Sequence, residues 1–179
     1  MNLPNILTLF RVLLIPLFVL LIINKRFSWA LATFAIAGIT DAVDGLIARL
    51  TGQRTELGAY LDPIADKLLL SSAFITLAII EYIPSWLTVI VITRDLIILI
   101  GFLMFFLTNH RPKMGPSLLS KFTTFFQIST VLLFLLKEYG LIPPLITKLA
   151  IYGVVIFTVL SGAHYIYVGA KILNEKKND

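Results

Sequence analysis

Asp41, Asp44, Asp62 and Asp66 are the side chains best placed to do chemistry in this 179-residue chain. Asp41 and Asp44 stand three residues apart and Asp62 and Asp66 four, and at either spacing two residues of an α-helix share a face. The stretch between the pairs is short and carries Gly52 and Gly58, so an antiparallel helical hairpin would bring all four carboxylates to one end. Gathered beside apolar segments, four carboxylates repel one another and desolvation penalises each. Arg49 and Lys67 supply too little positive charge to compensate. Hard divalent cations, which take oxygen ligands, are the natural remedy, and a pair of them bridging a phosphate supports in-line displacement at phosphorus. Ordinary helix-end carboxylates paired with Arg or Lys would account for one such Asp. They account less well for two pairs on successive segments, with Gly45 and Ala48 leaving a shallow surface on the face of Asp41.

The elements that must hold these residues are written in the composition. Hydrophobic residues make up 58% of the chain, charged residues 14%, and the mean hydropathy is +0.93. That balance leaves too little polar material to cover a water-facing surface, so the expected fold is an all-α integral membrane bundle. Six segments are apolar enough to cross a bilayer, near 9–24, 28–48, 62–81, 85–108, 118–137 and 145–170, each close to the roughly 20 residues a spanning helix needs. Before them, Pro4 with Asn2, Asn5 and Thr8 among apolar neighbours reads as a short amphipathic helix lying on the membrane. Of the 15 Lys and Arg residues, ten fall on one side of these spans, four on the other, and Arg94 within one. The richer side is expected to be cytoplasmic, with both termini and the aspartates on it. No repeat or linker divides residues 1–179, which read as one domain. Cysteine is absent, so a metal would rest on oxygen or the two histidines. The net charge of +5 is spread beside hydrophobic spans instead of forming one solvated stripe. It points to lipid headgroups and phosphate substrates, not to nucleic acid.

The run Asp41-x2-Asp44-Gly45-x2-Ala48-Arg49-x8-Gly58-x3-Asp62-x3-Asp66 resembles the full signature of the CDP-alcohol phosphotransferases, with all eight fixed positions filled. The opening Pro4-Asn5-x2-Thr8-x2-Arg11 and the six-span layout extend the likeness over most of the chain. The resemblance implies an enzyme that binds two Mg2+ or Mn2+ ions and a CDP-linked lipid, and passes the phosphoalcohol group to an acceptor hydroxyl with release of CMP. It makes Asp41, Asp44, Asp62 and Asp66 the metal ligands and Asp66 also the general base. It assigns the cytidine diphosphate of the donor to Gly45, Arg49, Thr55 and Gly58, with Asn5 and Thr8 closing the site. Elementary chemistry agrees: a pyrophosphate needs positive charge and close backbone approach, which Arg49, Gly45 and Gly58 offer.

The remaining charges bear on the acceptor. Arg94 and Asp95 lie inside the fourth span, where an ionisable residue is costly. A self-contained Arg94 and Asp95 pair that holds helices together is one reading; against it, neighbours on a helix do not face each other, so each should need another partner. Arg94, Arg111 and Lys121, with Ser117, Ser120, Thr124 and Gln127, would form a cationic, hydroxyl-lined pocket for a phosphate. The resemblance then implies CDP-diacylglycerol as donor and sn-glycerol 3-phosphate as acceptor. Asp95 and Ser120 also fit the branch of the family whose acceptor is phosphatidylglycerol, so both remain open. A transporter of ions or protons is the rival class, but it calls for acidic groups along a route across the membrane, and here four lie on one side. The resemblance further implies a homodimer in the cytoplasmic membrane of a bacterium.

Overall fold

The computed structural model describes the backbone of residues 3–51, 56–107 and 117–175; for helical residues 3–5, 44–45, 48–51, 56–63, 102–107 and 171–175 it describes the helix but not the side chains. Among the described residues the fold is all-helical, with α1 (Leu3–Ile23), α2 (Phe27–Thr51), α3 (Glu56–Ile79), α4 (Ser85–Leu107), α5 (Leu118–Lys137) and α6 (Pro144–Glu175). Three stretches, Ile6–Ile23, Leu118–Lys137 and Pro144–Ala170, are long and apolar enough to cross a membrane, and Phe27–Val43 is a shorter apolar helix. Large apolar side chains such as Leu13, Leu17, Leu20, Tyr152, Ile156 and Val159 stand exposed along α1 and α6. In water each would forfeit about 25 cal/mol per Å2. In lipid they lose nothing, and such helices mark a membrane protein.

Two expectations change. The separate amphipathic helix does not form, because α1 runs unbroken from Leu3 to Ile23. Pro4 stands in the first turn, where its missing N–H costs nothing, and no breaker follows before the apolar run. The helices that carry the aspartate pairs are also longer than expected, since α2 continues to Thr51 and α3 starts at Glu56. Asp62 therefore lies inside α3, and the Asp62 and Asp66 spacing is helical throughout.

The chain forms two compact units. The first comprises Met1–Ile83 with Val131–Ile142, the second Pro84–Thr130 with Pro143–Asp179. In the first unit α1 packs against both α2 and α3. Its buried face reads Thr8, Arg11, Leu14, Phe18, Ile22, a stripe stepping by three or four residues that is apolar at one end and polar at the other. Phe18 meets Phe34 of α2 with ring centroids 5.5 Å apart. At the far ends of these helices, α1 and α3 close alike. Lys25 and Glu81 take left-handed backbone at φ 56° and 61°. Arg26 N–H donates to Leu21 O and Tyr82 N–H to Leu77 O, so the last carbonyls are satisfied without glycine. Next to these turns Phe27 stacks on Tyr82, and the Tyr82 hydroxyl donates to Glu138.

In the second unit α4 packs on α6. Ser117 caps α5, its Oγ accepting the Ser120 N–H at 3.1 Å. The part of α5 in this unit has a polar buried face: Thr123, Gln127 and Thr130 are all enclosed. Thr123 reaches α6 by donating to Phe157 O at 2.9 Å. Neither polar atom of the Gln127 amide has a hydrogen-bond partner among the described residues, and the same holds for the Thr130 and Thr158 hydroxyls.

Candidate active site

The polar end of the α1 stripe carries the site. Arg11 follows Thr8 by three residues, on the same buried face, and its side chain is 0% exposed. Its Nη1 donates to Asp41 Oδ1 on α2 at 2.7 Å and to Asp66 Oδ1 on α3 at 2.7 Å. One nitrogen thus joins three helices, and the two carboxylate oxygens lie no further apart than those two bonds laid end to end. The acids differ from the base in access: Asp41 and Asp66 are 41% and 44% exposed.

This brings together one member of each expected pair. The side chains of Asp44 and Asp62 lie outside the described residues, as do those of Asn5, Gly45, Arg49 and Gly58, while Thr55 and Arg111 lie outside them altogether. Among the described residues no group of three acidic or histidine side chains gathers at a metal-binding spacing. The two acids that are described nevertheless fit a divalent ion such as Mg2+. They present hard carboxylate oxygens that converge on one point, and that point already holds a cation in the guanidinium of Arg11. Thr8 is buried beside Arg11 on α1.

Sequence reasoning placed Arg11 on the cytoplasmic side and in the opening motif, but gave it no role at the site. The available signal was its position one turn after Thr8 inside an apolar run, where a charge needs a partner. The four aspartates were the natural partners, although no spacing rule links residue 11 to residues 41 and 66.

The second charged centre is built differently. Arg94 on α4 is 3% exposed, and all three of its guanidinium nitrogens donate. Nη1 meets Asp95 Oδ1 at 2.7 Å, Nη2 meets Ser120 Oγ and Ser161 Oγ at 2.8 Å each, and Nε meets Ser161 Oγ at 3.3 Å. The neighbours Arg94 and Asp95 do pair, the less favoured of the two readings. The spacing rule describes Cβ directions, and a long arginine side chain can curl back past it. Ser161 reads in the sequence as a small residue for close helix packing, yet it supplies two of these contacts. The arginine stem packs beside Gly162, where a Cβ would lie 3.6 Å from Arg94 Cγ, at ordinary van der Waals contact. Lys121, expected beside Arg94, is exposed at the start of α5, and Ser120 is the residue brought to the guanidinium.

Comparison with known proteins agrees with the class the residues define. The family model described as CDP-alcohol phosphatidyltransferase matches residues 1–164, and the chain belongs to that family of enzymes. Among its relatives, a protein of Mycobacterium tuberculosis named "Probable phosphatidylglycerophosphate synthase" is 37% identical over 175 residues, covering 92% of this chain and 80% of that protein. The "CDP-diacylglycerol--glycerol-3-phosphate 3-phosphatidyltransferase" of Bacillus subtilis is 34% identical over 182 residues, covering 92% and 93%. The human "Cardiolipin synthase (CMP-forming)" is 39% identical over 122 residues, covering 68% of this chain and 40% of that protein.

Proposed function

We propose that this chain is a phosphatidyltransferase that moves the phosphatidyl group of CDP-diacylglycerol to the hydroxyl of sn-glycerol 3-phosphate, releasing CMP. The observation that carries the reading is the meeting of Asp41 and Asp66, from two helices, on one buried cation. The full-length likeness to the Bacillus subtilis enzyme favours glycerol phosphate as acceptor.

In this reading the four aspartates would hold two divalent ions, Mg2+ or Mn2+, which would stabilise charge on the attacking and leaving oxygens. The chain's own groups do the rest. Gly45, Arg49, Thr55 and Gly58, with Asn5 and Thr8, bind the cytidine diphosphate. Asp66 takes the proton of the acceptor hydroxyl as its oxygen attacks the phosphorus of the phosphatidyl group. The bond from that phosphorus to the CMP oxygen breaks, and CMP leaves with the electron pair. Arg111 and Lys121 receive the acceptor's phosphate, while Arg94 fastens Ser120, the residue before Lys121. The whole chain serves as one catalytic domain of six spans, with both termini and the site on the cytoplasmic face of a bacterial inner membrane. It works as a homodimer.

The test supplies purified protein in detergent with CDP-diacylglycerol, Mg2+ and a single acceptor, and follows CMP. Release with sn-glycerol 3-phosphate, lost in chelator, is the expected result. Release with phosphatidylglycerol alone would move the chain to the reaction named for the human relative, and release with neither would overturn the reading.

A further inference from the structure

Arg11 occupies the very point at which two carboxylates from different helices converge. Its guanidinium is wholly enclosed, while Asp41 and Asp66 are open to the outside on their other side. A cation arriving from outside therefore meets oxygens already engaged by a cation from within. Two carboxylates held so close repel, and in a low-dielectric setting that repulsion would drive α2 and α3 apart unless something neutralised them. Arg11 does so as part of the fold, fixed by its place on the packed face of α1 between Thr8 and Leu14.

We infer that Arg11 is a built-in counter-ion that holds Asp41 and Asp66 together in the metal-free protein and yields their oxygens to a divalent cation when one binds. It is a positioning residue: it keeps the ligands converged before loading and sets how tightly the metal is held. The inference rests on the assignment of Asp41 and Asp66 as metal ligands. Two consequences of opposite sign follow. Removing Arg11 exposes the carboxylates to their own repulsion, so the metal-free protein loses stability. It also removes a competitor, so metal binds more tightly. A site occupied by its competitor nine-tenths of the time shows an apparent affinity weakened about tenfold, which sets the scale of the gain. An arginine with a purely structural role would weaken stability and metal binding together.

The experiment measures Mn2+ binding to the purified full chain by electron paramagnetic resonance, beside thermal unfolding with Mn2+ and with chelator. Arg11→Lys keeps the charge on a shorter side chain whose nitrogen falls short of Nη1's position between the two carboxylates, and Arg11→Gln removes the charge. Both variants are expected to bind Mn2+ about tenfold more tightly than wild type and to melt lower in chelator, so that the stabilisation by Mn2+ grows. Tighter binding in Arg11→Gln alone would make the effect one of net charge and overturn the exchange, and unchanged or weaker binding in both would overturn it as well. Should Arg11→Gln fail to fold, Arg11→Lys carries the comparison together with a wild-type measurement. In 15N-arginine-labelled wild type, the side-chain resonance missing from Arg11→Lys is expected to shift as Mg2+ is titrated, and a resonance that stays still would overturn the exchange. Absence of Mn2+ binding in wild type and variants alike would defeat the metal reading itself, an outcome distinct from equal binding in all of them.

Discussion

The first unit and the second each bury an arginine against a carboxylate at 2.7 Å, and there the likeness ends. Arg11 draws its acids from two other helices, and both remain more than two-fifths exposed. Arg94 takes its acid from the next residue, Asp95, which is 8% exposed, and completes its shell with hydroxyls from α5 and α6. The same pair of residue types thus makes an open centre in one place and a closed one in the other. An open centre can exchange its cation and admit a substrate. A closed one is enclosed by the protein and works as a fastener among helices. Access of the acid, more than burial of the base, separates the two.

The comparison is sharpest at the open centre. Asp66→Asn keeps the shape and removes the basic oxygen, so transfer should fall by about 10²–10⁴-fold while CDP-diacylglycerol still binds. Turnover near the wild-type rate would remove Asp66 from the chemistry. At the closed centre, Arg94→Ala strands Asp95 in a buried setting without its cation, and unfolding in denaturant should show a loss of about 3–5 kcal/mol. Arg94→Ala with Asp95→Ala should recover part of that loss, because the stranded charge is gone. A single variant with full stability and a raised KM for the acceptor alone would instead make Arg94 a binding residue, and the contrast would fail.

A third polar contact lies between the two in character. Tyr82 donates to Glu138 in the turn after α3, and its phenol is pushed up to about 12 by burial first, then by that hydrogen bond and the carboxylate's charge. The ordinary phenol titrates near 10. The folded protein therefore holds this proton more tightly than the unfolded chain does. The stability it contributes is complete below about pH 10 and is lost as pH rises through about 12. Between those values the melting temperature of wild type should fall more steeply than that of Tyr82→Phe; parallel curves would show that the contact contributes nothing.

Helix positions were most legible where the apolar run is long, as in α1, α5 and α6. The fifth segment, 118–137, matches α5 residue for residue, with Ser117 as its cap. Asp41 and Asp66 were legible as partners because helical spacing and a short hairpin suffice to bring them together. Arg11 was not, since its role arises from α1 packing on both α2 and α3, a tertiary fact that no local pattern contains. The Arg94 and Asp95 pair was legible only as the less favoured reading, because side-chain length overrode a rule about directions. The N-terminal helix was misjudged because Thr8, at the end of a buried stripe, looks in sequence like part of the wet face of a surface helix.

The polar face of α5 bears on how the chain is made. A helix carrying Thr123, Gln127 and Thr130 on one side, with an amide that finds no partner among the described residues, is a reluctant guest in hydrocarbon by itself. Its Thr123 hydroxyl already donates to the α6 backbone. During synthesis α5 should therefore linger at the edge of the insertion machinery until the more uniformly apolar α6 emerges, and the two should enter the bilayer as a pair.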